Sequence, residues 1–211
     1  MLVNWAQQEI SLKIVYYGPG LSGKTTNLRY IYDHLNPSLR GDLITLNTRE
    51  DRTLFFDFLQ LDLGTILGRK PRFNLYTVPG QVVYAYSRKV ILSGVDGIVY
   101  VADAQLGRMD DNCHMLLDLE ENLISIGRTL KNVPMVLQLN KWDLPNIAAY
   151  EILQQRLNIF GAPCFTSVAT KGIGVFESLK AIINLILKQY QDRHQPAMRQ
   201  EREYASSKII S

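Results

Sequence analysis

Two cysteines in 211 residues are too few for a disulfide framework. Cys113 falls in a helix-period pattern and Cys164 in a strand-like run, so free thiols in a reducing compartment are expected. No uninterrupted apolar run approaches the roughly 18 residues of a membrane span. The first residues, Met1-Leu2-Val3-Asn4-Trp5-Ala6-Gln7-Gln8-Glu9, lack the basic-then-apolar order of a secretory leader. No prenylation cysteine stands in Ser207-Lys208-Ile209-Ile210-Ser211, and no myristoylation glycine follows Met1. The expectation is a cytoplasmic protein with no direct membrane anchor. A net charge of +3 is too small to point to nucleic acid. The basic clusters Arg69-Lys70-Pro71-Arg72 and Arg88-Lys89 have no aromatic ladder beside them and read as solvated surface. No nucleic-acid partner is expected.

What is present is enough apolar residue for a substantial core: 46% hydrophobic against 20% charged. Strand-like runs cover Leu12–Tyr17, Thr53–Leu61, Arg72–Val78, Gly97–Asp103, Val133–Asn140 and Cys164–Ser167. Several are continuous Val/Ile/Leu/Tyr stretches, which suit strands covered on both faces. Between them, helix-period segments lie at Lys24–His34, Tyr84–Ser93, Asp110–Ile126, Ala148–Leu157 and Val175–Gln191. The last places Phe176, Leu179, Ile182, Ile183, Ile186 and Tyr190 on one face. This alternation predicts an α/β fold, a mostly parallel central sheet with helices on both faces and right-handed crossovers. No internal repeat or second domain is visible. The reading is one domain over residues 1–191, then a polar, flexible tail over 192–211 that a partner could order.

Gly18-Pro19-Gly20-Leu21-Ser22-Gly23-Lys24-Thr25 joins the first strand-like run to the first helix-like one. It fits G-x-x-x-x-G-K-[ST], the phosphate-binding loop. Glycines at 18, 20 and 23 let the backbone turn its N–H groups inward on a polyphosphate. Lys24 sets a point charge against the β- and γ-phosphates, and the Thr25 hydroxyl is a ligand for Mg²⁺. The helix begun by Thr25-Thr26-Asn27 aims its positive end at the same anion. A chance match in a chain of this length is on the order of one in a hundred, so the loop is taken as real.

Phosphate loops serve kinases and ATPases too, so the base needs a separate reading. Asn140-Lys141-Trp142-Asp143 closes the strand-like run Val133–Asn140 and fits N-K-x-D. The Asp143 carboxylate accepts from guanine N1–H and its 2-amino group. Adenine has no donors there, and a site of this kind rejects the wrong base by roughly 10⁴-fold or more. The Lys141 stem lies over the base plane, and Asn140 ties neighbouring loops together.

The chain resembles the small Ras-like GTPases, and in detail their bacterial gliding-motility and cell-polarity branch, the MglA family. The resemblance runs from Glu9 to about Lys188. Its most specific parts are Lys13–Leu21, Asp51–Phe58, Thr77-Val78-Pro79-Gly80-Gln81 and Lys171–Phe176. It implies a Ras-like P-loop NTPase fold, GTP as substrate, GDP as product and Mg²⁺ as cofactor. By resemblance, Thr53 is the switch threonine that meets Mg²⁺ and the γ-phosphate. Gly80 is the switch glycine whose N–H contacts that phosphate, and Gln81 orients the attacking water. Arg52 falls where this branch is thought to carry its own arginine for transition-state charge. Val168-Ala169-Thr170 aligns with the loop whose backbone N–H reads guanine O6. The implied partners are an MglB-like roadblock-domain GTPase activator and downstream effectors, with recruitment to cell poles through such partners.

Three departures bear on the chemistry. Thr77 stands where most GTPases have the aspartate of D-x-x-G, which leaves the metal short of a carboxylate unless Asp57 or another compensates. The guanine loop lacks its usual lysine. Trp142 leaves stacking and surface packing both open. Two other readings compete: a nucleotide-bound, non-hydrolysing interaction module, and an ATP-dependent phosphotransferase. No arginine-rich lid supports the second, and Asp143 opposes ATP.

Overall fold

The computed structural model describes residues 2–4, 9–47, 55–65, 70–80 and 84–209. Strand β2 (Glu9–Tyr17) is covered on both faces, and the sheet extends outward from it. Its side chains alternate, as the period of two requires. Leu12, Ile14 and Tyr16 enter one apolar cluster, while Val15 and Tyr17 enter the other. The remaining elements in chain order are β1 (Leu2–Asn4), α1 (Lys24–His34), β3 (Arg40–Asn47), β4 (Phe55–Asp62), β5 (Lys70–Thr77), α2 (Ala85–Leu92), β6 (Gly97–Asp103), α3 (Met109–Ile124), β7 (Met135–Asn140), α4 (Tyr150–Leu157), β8 (Cys164–Thr166) and α5 (Val175–Ile209).

The strands order as β3-β4-β5-β2-β6-β7-β8. Pairing is parallel from β5 through β2, β6 and β7 to β8, and antiparallel at β3–β4 and β4–β5. β1 pairs antiparallel with the first residues of β2. This is the α/β, mostly parallel arrangement that the alternating pattern predicts. One cluster places Leu28 and Ile31 of α1 and Leu179, Ile182, Ile183 and Ile186 of α5 against the sheet. The other places Leu92 of α2, Leu119 of α3 and Leu153 of α4 against the opposite face. Each such side chain contributes about 1.5–3 kcal/mol by leaving water, so the three-layer stack is the main source of stability. A buried polar seam also joins layers. Asn27 of α1 and Gln138 of β7 exchange amide bonds of 2.9 and 3.0 Å, and Gln138 donates to Ser178 Oγ on α5.

Some sequence-level boundaries change. β4 is described from Phe55, with Thr53 and Leu54 outside the described residues, and strands β1 and β3 match none of the strand-like runs read from sequence. β3 is an edge strand with Ile44 and Leu46 exposed, so it carries no continuous buried run to announce it. The segment 192–211, read as a flexible tail, is largely a continuation of α5, which runs to Ile209. Its Arg, Gln, Glu, Ala and Met residues are good helix formers. Pro196 removes one backbone donor, at a cost of about 3 kcal/mol, without ending the helix. Cys113 and Cys164 are free thiols. Among the described residues no helix is long and apolar enough to cross a membrane.

Candidate functional site

Parallel strands bring their carboxyl ends to one edge, and ligands of such sheets bind there. β2 ends at Tyr17, β5 at Thr77, β6 at Asp103 and β7 at Asn140. The connections that follow these ends form two adjoining hollows. The first, of about 400 Å³, is lined by Gly20, Leu21, Lys24, Thr25 and Gly80 among others. The second, of about 250 Å³, is lined by Asn140, Lys141, Asp143, Val168, Ala169 and Thr170 among others. Leu21, Gly23 and Thr26 line both, so the hollows form one groove.

The first hollow is built for an anion. Helix α1 is preceded by Gly23 at φ 105°, which supplies no side-chain cap, and the first turn holds no acidic residue. Its N–H groups and dipole are left for an outside partner. Gly23 is also required by space, because a β-carbon there would lie 2.1 Å from Asn140 Nδ2. The Lys24 ammonium is buried and donates to the carbonyls of Gly18 and Pro19 at 2.8 and 2.7 Å. Burial pushes its pKa down to about 7; Arg88 and Arg108 push the same way, and Asp57 opposes them. A polyphosphate would supply the negative charge that this cation lacks.

Asp57 answers the question raised by Thr77. It lies on the same buried face of β4 as Leu59 and Leu61, at the end nearest the phosphate loop. Its carboxylate accepts from Thr25 Oγ1 at 2.6 Å, Thr45 Oγ1 at 2.8 Å and Thr77 Oγ1 at 2.9 Å. The Thr77 hydroxyl in turn accepts from the Asp57 N–H at 2.9 Å. The β3–β4 register sets Thr45 directly opposite Asp57. A carboxylate therefore stands beside the Thr25 hydroxyl, supplied by β4 in place of β5. This is a hard oxygen set of the kind Mg²⁺ takes, and one that suits a cation completing its shell with phosphate and water oxygens. Among the described residues no cluster of three His, Cys, Asp or Glu would hold a metal unaided.

The second hollow is tied together by Asn140. Its Nδ2 donates to Ser22 O at 2.7 Å, and its Oδ1 accepts from Ser167 Oγ at 3.1 Å and the Ala169 N–H at 2.9 Å. One side chain thus links the phosphate loop to the loop after β8, as expected from sequence. Lys141 sits at φ 66° and pairs with Asp103 at 2.7 Å. Asp143 accepts from Lys171 at 3.1 Å. The lysine missing from Val168-Ala169-Thr170 is therefore present one residue later, mostly exposed, in a pair worth about 1 kcal/mol at most. Trp142 meets Tyr150 edge-to-face at 6.1 Å and packs on the sheet's apolar cluster, which makes it a packing residue.

Gly80 closes the phosphate side. A β-carbon on it would lie 2.2 Å from Gly20 N and 2.5 Å from Gly20 Cα, so the two backbones touch. Behind it, Arg88 is buried and holds both oxygens of Asp118 at 2.8 and 2.9 Å, while its Nη1 lies 3.5 Å from Pro79 O. Tyr17 donates a short bond to the same carboxylate. Arg88-Lys89 was expected to be solvated surface; only Lys89 is exposed. The geometry brings together Gly18 to Thr26, Gly80, Asn140, Lys141, Asp143 and Val168 to Thr170. Arg52, Thr53 and Gln81 lie outside the described residues. Arg88, Arg108 and Lys171 were missed, because lone charged residues far apart in sequence carry no motif.

No family model matches the chain. The Mutual gliding-motility protein MglA of Myxococcus xanthus is 53% identical over 187 residues, covering 89% of this chain and 96% of that protein. Ras-related protein Rab-32C of Dictyostelium discoideum is 26% identical over 196 residues, 89% of this chain and 79% of that one. Elongation factor 4 of a Cyanothece species is 31% identical over 123 residues, 56% of this chain and 19% of that factor. The matching regions thus extend across small GTPases and one portion of a translation factor. With near full-length coverage by the first of these relatives, and a phosphate loop and N-K-x-D brought to one groove, the chain belongs to the MglA family of small Ras-like GTPases.

Proposed function

We propose that this protein is a slow GTP-hydrolysing switch whose GTP form is read by effectors controlling cell polarity or gliding motility. The observation that carries the reading is the single groove in which Lys24 faces the phosphate side and Asp143 the base side. The Lys24 ammonium and the bare N-terminus of α1 bind the β- and γ-phosphates. The Asp143 carboxylate accepts from the guanine edge, with Asn140 bracing both loops. Thr25, Asp57 and Thr53 would hold Mg²⁺, which when bound would supply charge neutralisation to the polyphosphate. Gln81 orients the water that attacks the γ-phosphorus. The bond to the β–γ bridging oxygen breaks, GDP keeps that oxygen, and inorganic phosphate leaves. Arg52 stabilises the charge that develops. An MglB-like roadblock activator would act by positioning Arg52 and Gln81. The cellular setting is cytoplasmic, with polar recruitment through partners. Thr77 and the altered guanine loop favour the non-hydrolysing module; Asp57 beside Thr25 and Lys171 beside Asp143 weigh against it.

The test is single-turnover GTP hydrolysis with and without a roadblock-fold partner, run beside competition of labelled GTP with excess ATP. Gln81→Leu and Arg52→Ala should each keep GTP bound and slow phosphate release. Indifference between GTP and ATP, or an unslowed Arg52→Ala with activator present, would refute the corresponding assignment. The Gly80 contact gives a sharper result. Gly80→Ala must push the Gly20 and Gly80 backbones apart. Displacements of about 1 Å cost roughly 100-fold in rate, so hydrolysis should fall by that order while GDP affinity changes little. An unaltered rate would remove this contact from the hydrolysing geometry.

A further inference from the structure

Leu21 occupies φ 64° with its side chain 88% exposed. A β-carbon disfavours that left-handed conformation, and an exposed side chain gains little burial to offset it. Another contact must hold the peptide in place. The carbonyl of Gly20, in the same peptide unit as the Leu21 N–H, accepts a 2.7 Å bond from Arg108 Nη2. Arg108 ends the 3-10 turn Leu106–Arg108 that leads into α3. Its other two nitrogens face carboxylates: Nη1 lies 2.5 Å from Asp111, and Nε lies 3.7 Å from Asp103. The guanidinium is therefore aimed, with its remaining nitrogen delivered to the phosphate loop. Asp103 also holds Lys141 at 2.7 Å, so one buried carboxylate steadies residues on both sides of the groove.

In a trans peptide the C=O of one residue and the N–H of the next point in opposite directions. A Gly20 carbonyl held toward Arg108 turns the Leu21 N–H away from it. Leu21 lines both hollows, and the loop's function is to present such N–H groups to phosphate. We propose that Arg108 is a positioning residue for the phosphate loop, pinning the Gly20–Leu21 peptide so that the Leu21 N–H faces the nucleotide. It acts through the Gly20 carbonyl rather than by touching the ligand. Without it, the peptide relaxes to a conformation that leucine favours, and the N–H is withdrawn. Glycine at the same position would keep the left-handed conformation unaided.

This inference rests on the nucleotide reading above, and its test separates the two. Release of fluorescent mant-GDP is followed from the full chain, Arg108→Ala, Leu21→Gly and the double variant. Arg108→Ala should speed release by about 10-fold, the scale of one charge-assisted hydrogen bond. In the Leu21→Gly background the same change should speed it by less than about 2-fold, because glycine needs no latch. Thermal unfolding checks that the variants are folded, and Arg108→Met, which keeps the stem, replaces the alanine if it is not. Equal acceleration in both backgrounds would place the effect in the charge of Arg108 and overturn the proposal. No acceleration in either would also overturn it. Failure of the unmodified chain to bind mant-GDP would instead remove the nucleotide reading, and this proposal with it.

Discussion

Lys24→Ala should weaken GTP and GDP binding by at least about 100-fold. The ammonium sits at the floor of the groove, and the partners seen for it are two carbonyl dipoles, at 2.8 and 2.7 Å. Burial, with Arg88 and Arg108 adding to it and Asp57 opposing, lowers its pKa to about 7, so the protein has already accepted the cost of removing this cation from water. A β/γ-phosphate pair repays it with charge-assisted bonds of about 1.5–3 kcal/mol each, and two such bonds correspond to a loss of 100-fold or more. The fold should survive, because Lys24 lies beyond the end of β2 and belongs to neither apolar cluster. Titration of mant-GDP against the unmodified chain and the variant checks this. Equal affinities would mean that Lys24 does not face the phosphates.

Asp57→Ala should flatten the Mg²⁺ dependence of GTP binding by about 100-fold, measured as GTP affinity across a Mg²⁺ titration. The carboxylate gathers hydroxyls from Thr25, Thr45 and Thr77, and Thr25 is the residue whose oxygen belongs to the phosphate loop. Among the described residues Asp57 is the carboxylate bonded to the Thr25 hydroxyl, and the variant removes it. Thr77→Asp offers the complementary test, since Thr77 Oγ1 already lies 2.9 Å from Asp57 Oδ2. In the Asp57→Ala background it should restore much of the Mg²⁺ effect by placing a carboxylate on β5. In the unmodified chain it should set two carboxylates together, with one forced to take a proton. A Mg²⁺ titration of Asp57→Ala that overlays the unmodified chain would dismiss Asp57 as the metal's support.

The layered fold was legible because its central strands are buried on both faces. Gly97–Asp103 is read as a strand from its unbroken apolar run and is a strand over the same residues. β3 escaped because an edge strand keeps one neighbour and carries exposed Asp42, Ile44 and Thr45 among its residues. The end of α5 escaped for the opposite reason. Its last turns have the composition of a helix without the apolar stripe that marks one.

Sequence alone carried the nucleotide reading, because the phosphate-loop pattern and N-K-x-D are each written in a few adjacent residues whose expected roles follow from backbone geometry and hydrogen-bond donors. It also placed Asn140 as the brace between loops, since that role comes with the motif. Tertiary structure decided which carboxylate stands beside the Thr25 hydroxyl. Asp57 meets Thr25 across 32 residues of chain, through the pairing of β3, β4 and β5, and no spacing rule encodes that contact. It likewise decided that Arg88 is buried on Asp118 and that Arg108 reaches Gly20 across 88 residues. Charges on separate elements acquire meaning only when the sheet brings their ends together. A strand's register then determines which of two neighbouring residues, Thr77 or Asp57, carries the anion.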